Sequence, residues 1–316
     1  MTEMLQKNLV GRPGPDQLLE PVGRPELIWE HPACNLCGGT EAEIHHREKL
    51  GYFGQAVEFT IVRCRGCRLV YTAPRLRACN EPYLQAEPAE WIETHAQAKL
   101  PVFRAGLRRL KKLQENLRMS PRGRLLDVGC GSGHFLNLAR RQGFTVYGIE
   151  PAAPYAEYAR EKFAVRVMAR EIGAAELPAG FSDVITAWDV IEHLGDPAGA
   201  LRQFRHWLTP GGLLALRFPS AAWQKLKATV LHNCLHSARP AFGPTIHLYF
   251  FSPETIRRLA DRCGLEILAI HTTLPEANTG SRLADGAKWA SYGLLRAAET
   301  LCRRRWGNLE VYLRKI

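Results

Sequence analysis

The stretch Leu125–Leu136 joins a buried strand, a glycine turn and a helix start, and this succession restricts the fold more than any other part of the chain. Leu125–Val128 is apolar apart from Asp127. Three glycines follow at alternate positions, Gly129, Gly131 and Gly133. Glycine is needed where a chain turns sharply and lets a ligand approach its backbone, and the helix that follows presents free N–H groups and a partial positive charge. We therefore predict a βα unit that binds a nucleotide-type ligand.

The spacing of these glycines separates two kinds of nucleotide site. A dinucleotide site requires glycine at the first, third and sixth positions, but the sixth position counted from Gly129 is His134. The remaining pattern, D-x-G-x-G-x-G from Asp127, resembles motif I of the class I S-adenosylmethionine-dependent methyltransferases. The alternative is an ordinary βα turn that binds nothing. The resemblance implies S-adenosylmethionine as cofactor, held by Asp127, Gly129, Cys130, Gly131, Gly133 and Phe135.

Strand and helix patterns alternate after Arg124. Predicted strands at 125–128, 145–149, 165–167, 184–187 and 213–218 are separated by predicted helices at 134–142, 155–162 and 197–208. Such alternation is typical of a parallel sheet with helices on both faces, which binds its ligands at the carboxyl ends of the strands. Two further strands, at 266–272 and 308–314, complete the set. We predict an α/β, Rossmann-like, seven-stranded methyltransferase sheet over residues 121–316.

The same edge of the sheet collects further candidate cofactor residues. Glu150 ends the second strand, where an acid can accept both ribose hydroxyls of a nucleoside; the alternative is a surface acid. The resemblance implies contacts from Pro151 and, in the loop after the third strand, from Glu171 near the adenine. It also implies that Trp188 and Asp189, at the end of the fourth strand, lie beside the methionine part of the cofactor.

Two cysteine pairs form another module nearer the N-terminus. The chain has nine cysteines, an odd number, and four of them stand in C-x-x-C pairs at Cys34, Cys37, Cys64 and Cys67. Two such turns place four thiolates around a tetrahedral Zn²⁺, which is structural far more often than catalytic. We predict a zinc ribbon at 31–78, with strands at 56–62 and 69–72, a loose arm at 1–30 before it and a helical linker at 79–120 after it.

Composition limits the remaining options. The 316 residues are 46% hydrophobic and 23% charged, which is a globular composition. Neither a run of eighteen apolar residues nor a secretory signal pattern is present, and unpaired cysteines with a metal site favour a reducing compartment, so we expect a cytoplasmic protein. The net charge of +11 is compatible with nucleic acid, an anionic membrane or acidic substrates, and does not choose among them.

Glu192 and His193 are the leading candidate catalytic residues. They follow the fourth strand in Asp189-Val190-Ile191-Glu192-His193. Histidine is the side chain best suited to take a proton near neutral pH, although His193 could equally cap or pack the helix that follows. In sugar C-methyltransferases, which this stretch resembles, a Glu-His pair at this point is implicated in deprotonation.

The C-terminal part leads to three further predictions, which concern a lid, two pocket residues and a surface contact. Residues 220–245 interrupt the alternation and are interpreted as a substrate lid. His247 and Tyr249 then stand in an H-x-Y-x-F-S-P-E-T pattern that recurs in small-molecule methyltransferases of this type; they are pocket candidates, with packing against the lid as the alternative. The helical insertion at 283–306 ends in three arginines, so a weak contact with a membrane surface is a minor alternative to a packed helix.

A zinc ribbon followed by this catalytic domain resembles a family of small-molecule methyltransferases that includes deoxysugar C-methyltransferases and, through the catalytic domain, ubiquinone-type O-methyltransferases. The resemblance implies methyl transfer to an oxygen or carbon of a sugar, biosynthetic intermediate or lipid-like acceptor. A ribosomal RNA methyltransferase is the second hypothesis, favoured by charge but lacking the N-P-P-[YF] signature. A non-catalytic zinc-ribbon scaffold is the third. The sequence favours no particular oligomeric state.

Overall fold

The fold is taken from a computed structural model, which describes residues 27–52, 55–77, 89–229, 242–244, 247–274, 276, 282–302, 305 and 307–316. Most of the predicted arm at 1–30, the middle of the predicted lid at 230–241 and the arginines at 303 and 304 lie outside the described residues.

A seven-stranded sheet forms the centre of the larger part of the chain. Its strands are β6 (Arg124–Val128), β7 (Thr145–Ile149), β8 (Arg166–Met168), β9 (Ser182–Trp188), β10 (Leu208–Phe218), β12 (Leu265–Thr272) and β13 (Leu309–Lys315). Their spatial order is β12-β13-β10-β9-β6-β7-β8. The predicted fold is confirmed, with one correction. β13 runs antiparallel to both of its neighbours, so the sheet is mixed.

Helices cover both faces of this sheet because successive strand residues point to opposite sides. The helices of the described residues are α1 (Ala89–Asn116), α2 (His134–Arg141), α3 (Ala153–Phe163), α4 (Pro197–Trp207), α5 (Ala221–Thr229), α6 (Pro253–Arg262) and α7 (Arg282–Cys302). One core contains apolar residues of α1, α2 and α3, and the other contains those of α4 and α6. Leu125 belongs to the first core and Leu126 to the second, as their alternation in β6 requires.

Helix α1 occupies most of the segment predicted as a linker. Phe103, Leu107 and Leu110 recur at three- and four-residue steps and are buried in the core that also contains α2 and α3. The apolar stripe therefore packs α1 against the sheet, in addition to joining the two parts of the chain.

The cysteine-containing part, residues 29–76, is called the ribbon below. Its strands form a separate sheet together with β11, in the order β11-β4-β3-β2. Its strands are β2 (Ala42–Tyr52), β3 (Gln55–Cys64), β4 (Val70–Thr72) and β11 (Tyr249–Phe250). A separate pair joins β1 (Trp29–Glu30) to β5 (Arg75–Leu76). The sequence patterns predicted β3 and β4 but not β2, which is an edge strand with charged side chains in its middle. They also did not predict that β11, which lies far along the chain, pairs with β4 of the ribbon.

The C-terminal predictions fall on α5 and α7. α5 covers the start of the predicted lid, and α7 covers most of the predicted insertion at 283–306. Leu294 and Leu301 on α7 are 74% and 85% exposed. Within the described residues, no helix has the length and apolar character needed to cross a membrane.

Candidate active site and metal centre

The turn after β6 adopts the backbone conformation that its glycines predict. Gly129, Gly131 and Gly133 have φ values of +66°, +49° and +75°, in the left-handed region that favours glycine. A Cβ atom at Gly129 would lie 2.6 Å from Val190 Cγ2, and one at Gly133 would lie 2.7 Å from Ala159 Cβ. The turn is therefore closely packed against the segment after β9 and against α3, and larger residues do not fit at these two positions.

Glu150 links the end of β7 to this turn. Gly131 N donates to Glu150 Oε2 at 2.7 Å, and Ala152 N donates to Oε1 at 2.9 Å. The carboxylate is fully buried. Each carboxylate oxygen has a further lone pair, so the group can also accept the two hydroxyls of a ribose. Pro151, next in the chain, is half-buried, and Glu171 is exposed at the start of a 3-10 turn after β8.

Asp127 lies behind the turn, inside the sheet. Its side chain is 2% exposed, and Thr186 Oγ1 donates to it at 2.6 Å from the neighbouring strand β9. Burial raises the pKa of Asp127 to about 8, because the charged form of a carboxyl is disfavoured away from water. This carboxyl joins β6 to β9. The two strands are neighbours at the point in the sheet where β7 and β8 lie to one side and β9 and β10 to the other.

Three other predicted cofactor residues are mainly buried among apolar side chains. Cys130 is 8% exposed, and Phe135 on α2 is 1% exposed. The Phe135 and Trp188 rings meet edge to face, with centroids 5.3 Å apart. The Phe135 and Trp188 rings therefore pack together where α2, the helix after the glycine turn, meets the end of β9.

Asp189 takes part in an ion network around the buried Arg217, which sequence reasoning missed. Lys99 Nζ donates to Asp189 Oδ2 at 3.0 Å, and Arg217 at the end of β10 pairs with the same oxygen. Arg217 also donates to Glu276 at 2.9 Å. Burial raises the pKa of Asp189, but Arg217 and Lys99 outweigh it and hold that pKa at about 2, since nearby positive charges favour the ionised form. A lone arginine in the apolar run Leu213–Phe218 was the available signal.

The backbone of Asp189 lies in the left-handed region. Its φ is +58°, which is uncommon for a residue with a side chain and recurs at functional sites. The turn redirects the chain from β9 into the 3-10 helix Ile191–His193. Glu192 and His193 thus lie at the carboxyl edge of the sheet, beside the glycine turn.

Glu192, His193 and His247, called the Glu–His–His cluster below, come together from two segments. A ligand atom from each lies within 4.8 Å of the others. His193 Nε2 is 3.8 Å from Glu192 Oε1, and the His193 and His247 ring centroids are 4.9 Å apart. Neither Glu192 oxygen has a hydrogen-bond partner among the described residues, although the side chain is fully buried. Burial raises the pKa of Glu192 well above its usual range, for the same reason as at Asp127.

His247 is held in one orientation. Its Nδ1 donates to Phe242 O at 2.9 Å. This bond leaves Nε2 as the nitrogen available to a ligand or substrate. Burial lowers the pKa of His247 to about 3, with a further contribution from His193, so its ring is neutral near pH 7.

Tyr249, the other pocket candidate, makes its contacts in the interface with the ribbon. Its side chain is 1% exposed, and its hydroxyl donates to Gly195 O at 3.1 Å. Arg75 Nη1 donates to the same hydroxyl at 3.1 Å. These contacts attach the ribbon to the loop that follows His193, and a direct part for Tyr249 in a pocket stays a prediction.

The ribbon also holds the segment that carries His247. Thr72 N donates to Leu248 O at 3.0 Å, and Thr72 Oγ1 donates to His247 O at 3.1 Å. Leu248 N in turn donates to Glu192 O at 2.8 Å. A continuous set of hydrogen bonds therefore runs from ribbon strand β4 to both segments of the Glu–His–His cluster.

The four cysteines form a compact group. Their sulfur atoms all lie within 4.8 Å of one another, with Cys34 and Cys67 at 3.3 Å and Cys37 and Cys64 at 3.5 Å. A tetrahedral site with Zn–S bonds of about 2.3 Å has sulfur–sulfur edges of about 3.8 Å. This donor set and spacing fit Zn²⁺.

Two similar turns support the cysteine group. Gly38 N donates to Cys34 O at 2.7 Å, and Arg68 N donates to Cys64 O at 3.0 Å. Gly38 and Arg68 both take left-handed φ values, +77° and +68°. The two C-x-x-C pairs thus have matching backbone geometry, which brings their four sulfur atoms together.

A mixed seven-stranded sheet carries the glycine turn after its first strand in the chain and Glu150 after its second, as the sequence predicts for a nucleoside-type cofactor site. A family described as "Methyltransferase domain" matches residues 96–270, which is more than half of the chain. The chain belongs to this methyltransferase-domain family, as its motif I predicts.

Similar proteins of known name cover part of the chain. Ubiquinone biosynthesis O-methyltransferase of Acinetobacter baumannii is 30% identical over 135 residues, 40% of this chain and 56% of that protein. The Xylella fastidiosa enzyme of the same name is 34% identical over 131 residues, 39% of this chain and 52% of that protein. The chain thus spans about half the length of these relatives. An S-adenosylmethionine-dependent methyltransferase structure from Mesorhizobium loti has 16% identity and a TM-score of 0.46, covering 69% of this chain and 98% of that one.

The glycine turn generates a first prediction. Gly129→Ala forces a side chain into a left-handed residue against Val190, which costs about 1–2 kcal/mol before the collision is counted. We expect S-adenosylmethionine affinity, measured by calorimetry, to fall at least about tenfold. Gly286→Ala on α7, where a Cβ meets open space, is the control and should bind normally. Unchanged affinity in Gly129→Ala would contradict the assignment.

Asp127 generates a prediction on pH. Because its folded-state pKa is raised, its contribution to stability is full at low pH and is lost as pH rises from about 4 to about 8. Asp127→Asn removes this titration. We expect the melting temperature of the cofactor-free wild type, relative to the variant, to fall across that range in a thermal-shift series. Exposed Asp261→Asn is the control, and a constant difference between Asp127→Asn and wild type would refute the burial argument.

The cysteine group generates a prediction on metal removal. Cys67→Ser deletes one of four ligands, so the protein should lose the zinc that wild type retains after dialysis against EDTA, and should melt at a lower temperature. Cys263→Ser changes a buried cysteine outside the group and should keep its zinc. Elemental analysis and thermal melting measure both effects. Full zinc retention with unchanged melting in Cys67→Ser would rule out a four-cysteine site.

Proposed function

We propose that this methyltransferase acts on an oxygen or carbon atom of a small molecule that binds at the Glu–His–His cluster. The observation that carries the proposal is the position of this cluster, at the carboxyl edge of the sheet beside the glycine turn. Similarity to ubiquinone biosynthesis O-methyltransferases supports oxygen as the acceptor atom.

The cofactor supplies an activated methyl group on a sulfonium when it is bound. In this proposal the backbone of Gly129, Gly131 and Gly133 receives its methionine part, and Glu150 accepts the ribose hydroxyls. The protein then has to align the acceptor with the methyl group and exclude water. Trp188 and Phe135 support the turn from below, which keeps that alignment rigid.

The acceptor must lose a proton, and we assign this step to His193. Its side chain is 25% exposed, so an acceptor can reach it, whereas Glu192 is fully buried. At 3.8 Å, Glu192 is beyond hydrogen-bonding distance of His193 Nε2, so its proposed part is to shape and orient the pocket. His247, neutral and fixed by Phe242 O, forms the opposite wall.

The ribbon has a structural part in this proposal. Zinc bound by Cys34, Cys37, Cys64 and Cys67 would hold β4 in place, and β4 holds the segment that carries His247. Four thiolates require a reducing compartment, which supports a location in the cytoplasm.

Contact with a membrane surface through residues 283–306 stays a further proposal. Trp289, Leu294 and Leu301 on α7 are exposed by 38%, 74% and 85%. The arginines that follow would suit an anionic surface. Such contact would suit a lipid-like acceptor.

The base assignment generates a direct prediction. His193→Ala should bind S-adenosylmethionine as wild type does, yet lose at least about 100-fold in turnover, since general-base catalysis contributes about that much. Transfer of labelled methyl to a panel of sugars, phenols and lipids measures turnover. Exposed His206→Ala on α4 is the matched control. Wild-type turnover in His193→Ala would exclude His193 as the base.

The same labelled cofactor tests the RNA hypothesis. If the label enters ribosomal RNA instead of every small molecule in the panel, and RNA binding weakens steeply with salt, the small-molecule proposal is wrong.

A further inference from the structure

We propose that Glu192, His193 and His247 bind a divalent first-row transition metal, at a second metal site separate from the four cysteines. This inference rests on the proposed function in one respect only: the metal would lie where the acceptor is proposed to bind. Whether the metal binds is a separate question from whether methyl transfer takes place there.

The three side chains offer metal-binding atoms at a suitable spacing. Two imidazole nitrogens and one carboxylate oxygen lie within 4.8 Å of one another, close enough to converge on one ion after small side-chain adjustments. Two histidines with one carboxylate suit cations such as Fe²⁺, Co²⁺ or Zn²⁺. Three protein ligands also leave coordination positions open, which are available to an oxygen of the acceptor.

The Glu192 side chain is buried without a hydrogen-bond partner among the described residues. Its side chain is 0% exposed, and neither carboxylate oxygen has a hydrogen-bond partner among the described residues. A buried polar group without a partner costs free energy, and a buried charge costs far more unless a counter-charge compensates it. A divalent cation between Glu192 and the two imidazoles removes this cost.

The His247 ring is held in an orientation that suits a metal ligand. A metal-bound histidine usually donates its other ring N–H to a carbonyl or carboxylate, which sets the tautomer and raises the basicity of the ligand nitrogen. His247 Nδ1 already donates to Phe242 O at 2.9 Å, so Nε2 is the nitrogen free to ligate. The Leu248 N to Glu192 O bond keeps the two ligand-bearing segments together without the metal.

Neighbouring cations do not prevent binding, because each has its own counter-charge. Lys99 pairs with Asp189 at 3.0 Å, and Arg217 pairs with both Asp189 and Glu276. The Glu192 carboxyl makes no hydrogen bond to either cation, so both of its oxygens are available to an added ion, which would displace the carboxyl proton on binding.

The metal changes how the acceptor loses its proton. With the ion bound, His193 would be a ligand, and the proton-accepting role proposed for it above would apply to the metal-free protein. An acceptor hydroxyl at an open position then has a lowered pKa, and its proton passes to water as the oxygen takes the methyl group from the sulfonium, whose sulfur keeps the bonding electron pair. An oxygen acceptor is favoured over a carbon acceptor in this case.

The test uses Co²⁺ as the probe and the zinc-loaded full chain. Co²⁺ is titrated by calorimetry, with S-adenosylmethionine affinity and melting temperature measured on the same samples. His247→Asn is the most informative variant, because the asparagine amide can keep the Nδ1-type bond to Phe242 O while Nε2 is deleted. Glu192→Gln removes the charge with little change of shape. His271→Asn, on β12, is the matched control.

We expect wild type and His271→Asn to bind a Co²⁺ ion beyond the zinc. His247→Asn and Glu192→Gln should bind it at least about 100-fold more weakly. Their cofactor affinity should be unchanged, and Co²⁺ should raise the melting temperature of wild type and His271→Asn but not that of these two variants. Equal Co²⁺ affinity in all four proteins, or no Co²⁺ binding by wild type, would overturn the metal site. Co²⁺ binding without methyl transfer to any acceptor would instead count against the proposed function. Methyl transfer without Co²⁺ binding would count against the metal alone.

Discussion

The hydrogen bond from Leu248 N to Glu192 O is the contact on which the arrangement of the candidate site depends. It joins the loop after β9 to the segment before β11, which are far apart in the sequence. β11 in turn pairs with ribbon strand β4 rather than with the large sheet. The ribbon, the sheet and the pocket are therefore coupled through backbone groups, whose hydrogen bonds must be made somewhere once they are buried.

Electrostatic compensation differs sharply between neighbouring acids at this edge of the sheet. Asp189 is compensated by Lys99 and Arg217, and Glu150 by two backbone N–H groups. Glu192, which is as fully buried as Glu150 and more deeply buried than Asp189, has no such hydrogen bond among the described residues. Buried acids without compensation are uncommon in folded proteins and mark places where function, rather than stability, determines the residue. This contrast singles out the Glu–His–His cluster.

The parts of the fold with strong local patterns were predictable. The strands of the large sheet were placed within a few residues, because apolar runs alternate with helical spacing and end in turn residues. Helix α6 also has strong local signals, since Ser252 is its N-cap and Pro253 is its first residue. The glycine turn, Glu150 and the four cysteines could be identified because the positions of these residue types in the sequence are typical of a cofactor turn and of a metal site. β2 escaped prediction because an edge strand paired on one side needs no apolar pattern.

The sequence by itself determined the class of enzyme, the cofactor turn and the four-cysteine group, because each depends on residues close together in the chain or on local backbone conformation. Only the tertiary structure brought Lys99 and Arg217 to Asp189, placed Tyr249 in the ribbon interface and set His247 beside Glu192 and His193. These contacts join segments that are distant in sequence. They arise from sheet order and from packing between elements, which no local pattern of residues encodes.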